Sequence, residues 1–151
     1  WTPAGPSSYE LLYRSGAGLT PRPLRRIASG GELSRVMLAS KVVLGNADGV
    51  DTLVFDEVDA GVGGSTARAL AGVLADLAAT HQVIVVTHLA QVAVMADKHY
   101  VVSKEPGDVP QTHLDEVTGE ARTAEIARML SGDQSEASLA HAKQMLEEAR
   151  G

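Results

Sequence analysis

The hydrophobic positions along the chain fall into two patterns. Residues 52–55 and 82–86 are short, nearly continuous apolar runs, which is typical of buried strands. Longer segments, such as residues 31–44 and 136–149, place apolar residues three and four positions apart, which favours amphipathic helices. Because strand-like and helix-like segments alternate, the pattern predicts an α/β fold with a mostly parallel sheet flanked by helices.

The predicted elements form one domain, residues 1–151, without internal repeats. Strands are expected at residues 9–13, 52–55, 82–86, 100–103 and 112–117. Helices are expected at residues 31–44, from an N-cap at Ser65 to residue 77, and at 89–95, 123–130 and 136–149. Within the domain we expect a lead-in strand and loop (1–27), a central core (28–104), and a closing strand and helices (105–151).

The composition predicts an aliphatic core. Apolar residues make up 44% of the chain but aromatic residues only 3%, so Val, Leu, Ile and Ala must fill the interior. The chain has no cysteine, which excludes disulfides and thiolate metal sites and fits a reducing cytoplasm. The apolar runs are too short to span a bilayer, so we expect no membrane partner.

On the first helix, the side chains expected to face the core are Leu33, Val36, Met37, Ala39, Val42, Val43 and Leu44.

The net charge of −6 is unevenly distributed. Residues 1–41 hold six basic and two acidic side chains, a net +4, and the rest of the chain carries −10. A polyanion would therefore prefer the first part, where Arg22, Arg25 and Arg26 are candidates for DNA or phosphate contacts. On charge alone, a solvated arginine-rich loop is an equal alternative.

The chain begins at Trp1 without a methionine, and we expect it to be part of a longer protein.

Two adjacent carboxylates, Asp56 and Glu57, follow the first apolar run directly. In open α/β sheets, ligands bind beyond the carboxyl ends of the strands, and two carboxylates there are costly without a cation or substrate. Neighbouring strand residues point to opposite faces, so their roles can differ. The pattern favours Asp56 as a Mg²⁺ ligand through water and Glu57 as the base that polarises a water attacking a γ-phosphate. A polar strand end that caps a loop is the alternative.

A Ser-Gly-Gly-Glu sequence at residues 29–32 stands directly before the first predicted helix. Gly30 and Gly31 lack a Cβ, so the backbone can approach a phosphate closely, and the first N–H groups of a helix attract anions. Ser29 can cap the helix and donate its hydroxyl. By itself this sequence is more typical of an ordinary helix cap with a flexible hinge, and it gains weight as a phosphate site only together with the other motifs.

His88 ends the second apolar run, as Asp56 ends the first. A neutral imidazole at this position could reach a γ-phosphate oxygen, although a single loop histidine is more often structural. The other histidines show no metal-binding spacing with His88 or with each other.

Taken in order, these motifs resemble the carboxy-terminal lobe of an ABC-type ATPase head. Residues 29–35 read Ser-Gly-Gly-Glu-Leu-Ser-Arg, residues 53–59 read Leu-Val-Phe-Asp-Glu-Val-Asp, and residues 86–88 read Val-Thr-His. The glycine-rich continuation at residues 61–64 and the segment 125–132 narrow the resemblance to the RecN-like family in the SMC branch of these ATPases.

The resemblance implies a fold of the P-loop NTPase type and an ATPase in which two heads enclose two ATP molecules. Asp56, Glu57 and His88 would act on the nucleotide of their own head, with His88 as the switch that senses the γ-phosphate. The signature residues Ser29 to Gly31, with Glu32, would act on the nucleotide of the partner head. Further candidates for the ATP interface are Arg35, Asp59 and Gly63.

The resemblance also implies the biological setting. The implied task is DNA double-strand break repair and recombination by a cytoplasmic, nucleoid-associated bacterial protein that uses ATP and Mg²⁺. Its implied partners are an amino-terminal head lobe that carries the Walker A motif, a second identical head, and DNA. The chain has no Gly-x-x-x-x-Gly-Lys-[Ser/Thr] sequence, and it has Gly63 where most ABC heads carry an aspartate. Without a P-loop, the chain alone is expected to be inactive.

Besides a non-catalytic interaction lobe, which partly describes the chain alone, two other interpretations remain at this stage. One is the head lobe of a different SMC or ABC ATPase that acts in chromosome structure. The other is a dinucleotide-binding oxidoreductase domain. The oxidoreductase would need Gly-x-Gly-x-x-Gly directly after a strand, whereas residues 61–66 follow two acids and end in Thr66.

Overall fold

The structure is a computed structural model that describes residues 5, 9–27, 29–105 and 111–149. It confirms the α/β class, and the expected strands and helices occur in the expected order, with one short strand at residues 22–23 that was not expected. The strands are β1 (Leu12–Tyr13), β2 (Arg22–Pro23), β3 (Thr52–Asp56), β4 (Gln82–Val86), β5 (His99–Glu105) and β6 (Gln111–Val117). The helices are α1 (Gly30–Leu44), α2 (Gly64–Ala78), α3 (Ala90–Ala93), α4 (Gly119–Ser131) and α5 (Glu136–Glu148). Short 3-10 turns cover Leu24–Arg26 and Gly45–Asp48.

The two apolar runs form a parallel pair. β3 and β4 are in register from Thr52 opposite Gln82 to Asp56 opposite Val86, so their carboxyl ends meet at one edge. One face of this pair packs on α2, whose buried residues recur at helical spacing: Ala67, Leu70, Ala71, Leu74 and Leu77. Phe55, Val58 and Leu38 complete this core cluster. Burying one such large aliphatic or aromatic side chain contributes about 1.5–3 kcal/mol.

The opposite face of β3 and β4 is uncovered. The side chains of Val54, Ile84 and Val86 are 65%, 46% and 58% exposed, although the apolar runs predict burial on both faces. Strand residues alternate between faces, and α2 covers the face that carries Phe55. Within the described residues, helices therefore cover one face of the β3 and β4 pair, whereas strands of this composition are expected to be covered on both faces.

The other strand pairs are antiparallel, in contrast to the expected mostly parallel sheet. β1 pairs with β2, and β5 pairs with β6 from His99 opposite Val117 to Glu105 opposite Gln111. A parallel connection needs a crossover of a dozen or more residues. The chain between β5 and β6, residues 106–110, is too short for one, so these strands form a hairpin. Among the described strands, parallel pairing is confined to β3 and β4.

The orientation of α1 also differs from the expectation. Its buried residues are Gly31, Leu38 and Lys41. The apolar residues expected inside are largely exposed, because the helix is rotated to place its other side on β3. The exposed members of that set are Leu33, Met37, Ala39, Val42, Val43 and Leu44, while Val36 is half-buried.

The start of α2 lies before the expected cap. Gly63 takes the N-cap position and Gly64 is the first helical residue, so Ser65 lies inside the helix. Gly61 and Gly64 have φ values of +72° and +55°, which favour glycine. The positive φ values therefore explain why glycine occupies these two positions, without reference to a ligand.

A second core forms where α3, α4 and α5 meet. Its fully buried residues include Ile126, Ala127 and Ala142. Arg122 on α4 donates Nη2–H to the carbonyls of Ala93, Val94 and Ala96, at 3.2, 3.3 and 2.6 Å, and so caps the end of α3. These contacts join α4 to the segment that follows the histidine loop, since α3 begins two residues after His88. None of the helices in the described part of the chain is long and apolar enough to cross a membrane.

Candidate functional site

The carboxyl edge of β3 and β4 brings the separate motifs together. Asp56 is the last residue of β3, and it lies opposite Val86, the last residue of β4. Glu57 and His88 follow within two residues, and the side chains of Asp56, Glu57 and His88 are exposed. This is the edge where ligands bind in open α/β sheets. The two carboxylates and the imidazole therefore share one accessible edge, as the sequence predicts.

The amino end of α1 lies at the same edge. Ser29 has extended backbone angles, and its Oγ accepts a hydrogen bond from the N–H of Glu32 at 3.4 Å. This confirms Ser29 as the N-cap of α1. The remaining N–H groups of the first turn have no partners within the helix, and together with the helix dipole they favour an anion.

Two side chains of α1 hold this helix to the segment that follows β3. Ser34 donates its hydroxyl hydrogen to the carbonyl oxygen of Asp56 at 2.6 Å. Arg35 donates from Nη1 to the carbonyls of Val58 and Ala60, at 3.1 and 2.9 Å. Arg35, a candidate for the ATP interface, thus contacts the backbone of its own chain. Neither Ser34 nor the carbonyls could be identified from local spacing, since the partners are 22 to 25 residues apart.

The first two residues of α1, Gly30 and Gly31, are also packed closely inside the chain. A Cβ on Gly30 would lie 2.5 Å from Oε2 of Glu57. A Cβ on Gly31 would lie 2.8 Å from both the carbonyl oxygen of Glu57 and the Cβ of Ala60. At Gly30 the obstacle is the end of a flexible side chain, whereas at Gly31 it includes backbone. Gly31 is therefore needed for packing, in addition to the close approach of a ligand that the sequence suggests.

Glu57 has an unusual backbone conformation. Its φ is +55°, and among the described residues it is the only non-glycine with a positive φ. Such a conformation costs about 1–3 kcal/mol and persists where the surroundings impose it. Here the Arg35 contacts and the turn bond from Ala60 N–H to the Glu57 carbonyl, at 3.0 Å, hold the segment. Strain of this kind is typical of functional sites.

Asp59 lies beneath the loop that carries His88. It is 1% exposed, and its Oδ2 accepts hydrogen bonds from the hydroxyl of Thr87 and from the N–H of His88, the latter at 3.1 Å. The same oxygen lies 3.3 Å from Nδ1 of His88. Asp59, predicted as an ATP-interface residue, is thus buried against the histidine of its own chain. The separation of 28 positions between Asp59 and Thr87 explains why sequence spacing does not reveal this contact.

The three arginines before the signature loop separate into two groups. Arg22 and Arg26 line a cavity of about 450 Å³ together with Ser29 and Glu32. Arg25 instead forms an ion pair with Glu10, with 2.7 Å between Nη2 and Oε1. Two of the three arginines therefore line the cavity beside residues 29 and 32, and the third is paired elsewhere.

The carboxylates at the edge of β3 and β4 could provide part of the ligand set of a magnesium ion. Mg²⁺ prefers oxygen ligands and is commonly held by one or two carboxylates, waters and the phosphates of a nucleotide. The exposed carboxylates of Asp56 and Glu57 are donors of this kind. Within the described ranges, no group of three or more His, Cys, Asp or Glu residues could hold a metal alone. The donor set fits an ion that is completed by a nucleotide.

Gly63 is the remaining interface candidate. It lies at the N-cap of α2 with an extended φ of −160°, and a Cβ there would meet open space. The structure therefore gives no packing reason for glycine at this position.

The chain is similar in sequence to several known DNA repair proteins of one kind. No protein-family model matches the chain. The DNA repair protein RecN of Treponema pallidum is 52% identical over 146 residues, which cover 95% of this chain and 26% of that protein. RecN of Streptomyces coelicolor is 49% identical over 150 residues, which cover 98% of this chain and 26% of that protein. RecN of Deinococcus radiodurans is 52% identical over 143 residues. The chain spans about a quarter of the length of the curated relatives it matches.

One solved structure is also similar. It comes from work on the structural biochemistry of ATP-driven dimerization and DNA-stimulated activation of SMC ATPases. It aligns with a TM-score of 0.49 and 21% identity over 89% of this chain and 69% of that chain. A likeness this distant transfers no residue roles.

Proposed function

We propose that this chain, which is homologous over nearly its whole length to a segment of the RecN DNA repair proteins, is the carboxy-terminal lobe of an ATPase head. The observation that carries the proposal is the meeting of the carboxylates after β3 with the histidine after β4 at one sheet edge. The capped amino end of α1 lies beside them, and its donors are assigned to the nucleotide of a second head. An ATPase head needs a general base, a metal ligand and donors for phosphate, and the edge supplies candidates for each.

In this proposal each side chain has a defined task. Asp56 holds Mg²⁺ through water, and Glu57 accepts the proton of the attacking water. His88 contacts the γ-phosphate, while Ser29, Gly30, Gly31 and Glu32 form the signature loop that receives the nucleotide of a second head. Bound ATP with its Mg²⁺ supplies the phosphoryl group that is transferred to water. Loss of the γ-phosphate then weakens the contact between heads.

The uncovered face of β3 and β4 is a surface on which a further lobe could pack. Val54, Ile84 and Val86 expose apolar side chains there, and isolated strands of this composition are expected to be covered on both faces. About three-quarters of each RecN relative lies outside the matched segment, so it can supply a covering lobe with the Walker A sequence. We propose that this amino-terminal lobe packs on the exposed face, and that the complete protein is cytoplasmic.

The isolated chain is expected to hydrolyse no ATP, whereas the full-length protein with Mg²⁺ should do so. The physical reason is that the 151 residues contain no P-loop to hold the β- and γ-phosphates. Release of phosphate by both purified proteins, at equal concentration of heads, measures the difference. Vigorous turnover by the isolated chain would contradict the assignment of this lobe, and no turnover by either protein would contradict the ATPase proposal itself.

We also propose that Arg22 and Arg26, rather than Arg25, contact the phosphates of DNA. Both residues are exposed and line the cavity beside Ser29 and Glu32, whereas Arg25 is paired with Glu10. In the full-length protein, Arg22→Ala and Arg26→Ala should each weaken DNA binding and reduce the slope of log affinity against log salt by about 0.9. Arg25→Ala is the matched control and should leave the slope nearly unchanged. Equal slopes for all three variants and the unaltered protein would refute the assignment.

A further inference from the structure

We infer that Asp59 is a positioning residue for His88, with its buried carboxylate fixing the ring so that Nε2 is the nitrogen presented to the nucleotide. This inference rests on the proposed function, because it concerns how His88 reaches a phosphate. It assigns Asp59 to the site of its own head, in place of a contact across the interface between heads.

Two hydrogen bonds and one close contact meet at a single carboxylate oxygen. Oδ2 of Asp59 accepts from the Thr87 hydroxyl and from the backbone N–H of His88, and it lies 3.3 Å from Nδ1 of the same histidine. The Thr87 hydroxyl in turn accepts from the N–H of Leu89 at 3.0 Å. One carboxylate thus contacts both the backbone and the ring of His88, which leaves the ring few orientations.

The burial of the two partners is very different. The side chain of Asp59 is 2% exposed, whereas that of His88 is 72% exposed. A carboxylate this deeply buried is costly unless donors surround it, and Thr87 and His88 provide them. An exposed imidazole, by contrast, is free to rotate unless something holds it. The buried group is therefore the fixed one, and the exposed ring is the group it orients.

The contact also decides which ring nitrogen remains available. A carboxylate only accepts, so at 3.3 Å the favoured tautomer of His88 carries its hydrogen on Nδ1, which faces Asp59. The partner of one imidazole nitrogen sets the role of the other. Nε2 is then the nitrogen left for a ligand at the edge that carries Asp56 and Glu57. Carboxylates orient histidines in the same way at metal sites.

A purely structural role for Asp59 makes a different prediction. Asp59 also joins the turn after β3 to the loop after β4, so its loss could simply loosen both segments. A structural loss would add to the loss of His88, whereas a positioning role has nothing left to act on once His88 is gone. The two roles therefore separate in a double-mutant cycle.

The experiment uses the full-length protein with Asp59→Asn, His88→Ala and the double variant. Asparagine keeps the shape and an acceptor oxygen for Thr87 and the His88 N–H, but it removes the charge. We expect Asp59→Asn to lower kcat about 10-fold, the lower end of the range for partners of oriented histidines. In the His88→Ala background the same substitution should change kcat less than twofold. Asp76→Asn, an exposed aspartate on α2, is the control and should have no effect. Losses that multiply, or an unchanged Asp59→Asn variant, would overturn the inference.

A second measurement does not depend on hydrolysis or on the folding of Asp59→Asn. In full-length protein labelled with ¹⁵N-histidine, the His88 signals are assigned by their loss in His88→Ala. The inference requires that Nδ1 carries a hydrogen in the unaltered protein at neutral pH. A spectrum in which Nδ1 is bare and Nε2 alone is protonated would overturn it. If His88→Ala leaves hydrolysis unchanged while Nδ1 is protonated, the role of His88 in the proposed function fails, and the orienting contact stands.

Discussion

Glu57→Gln in the full-length protein is expected to lower the rate of ATP hydrolysis about 10²- to 10⁴-fold, the contribution typical of a general base. Glutamine keeps the length of the side chain but cannot accept the proton of the attacking water. ATP binding should persist, because Asp56 and the signature loop are unchanged. The uncleaved nucleotide should then hold two heads together, so the variant should accumulate as a dimer with ATP.

Steady-state phosphate release measures the rate, and size-exclusion chromatography with ATP measures the dimer. Glu147→Gln is a suitable control, since Glu147 is an exposed glutamate on α5. Its rate and its elution should match those of the unaltered protein. If the Glu57 variant eluted only as a monomer with ATP while the unaltered protein dimerised, Glu57 would not be the base.

Ser29→Arg is expected to reduce hydrolysis by about 10²- to 10³-fold, similar to the loss of a donor to a transition state. The substitution removes the cap of α1 and places a large cation where a nucleotide of the second head would lie. Because Ser29 and Glu57 are proposed to serve different nucleotides, the two defects should complement each other. A mixture of Ser29→Arg and Glu57→Gln proteins should restore one of the two sites in each mixed dimer.

The control for this experiment is Ser135→Arg. Ser135 is the N-cap of α5, and its side chain accepts from the N–H of Ser138 as Ser29 accepts from that of Glu32. Loss of either cap should cost about 1 kcal/mol of stability. Ser135→Arg should therefore destabilise the protein similarly without abolishing hydrolysis. Mixtures that remain inactive would argue against sites shared between two heads.

Several elements can be predicted from residues that lie close together in the sequence. The bounds of β4, residues 82–86, match the apolar run, and Ser29 caps α1 as expected. The hairpin of β5 and β6 could also have been predicted, since only five residues separate the strands. In each case the controlling interaction joins residues that are close in the chain or depends on the alternation of side chains.

Other features depend on packing between distant segments. The rotation of α1, which buries Lys41 and exposes Val43, reverses the face expected from its apolar residues. Because both sides of this helix carry apolar residues, periodicity alone does not distinguish them. The choice is made by contacts such as Ser34 with Asp56 and Arg35 with Val58.

The sequence by itself determined the α/β class, the order of the elements and the identity of the acids, glycines and histidine that we assign to the site. These depend on local patterns and on motif chemistry. The tertiary structure decided that Glu57 adopts a positive φ, that Gly31 is packed against the backbone of Glu57, and that Asp59 lies under His88. Each of these facts joins segments more than twenty residues apart or is imposed by their contact, and such contacts form only when β3, β4 and α1 are packed together.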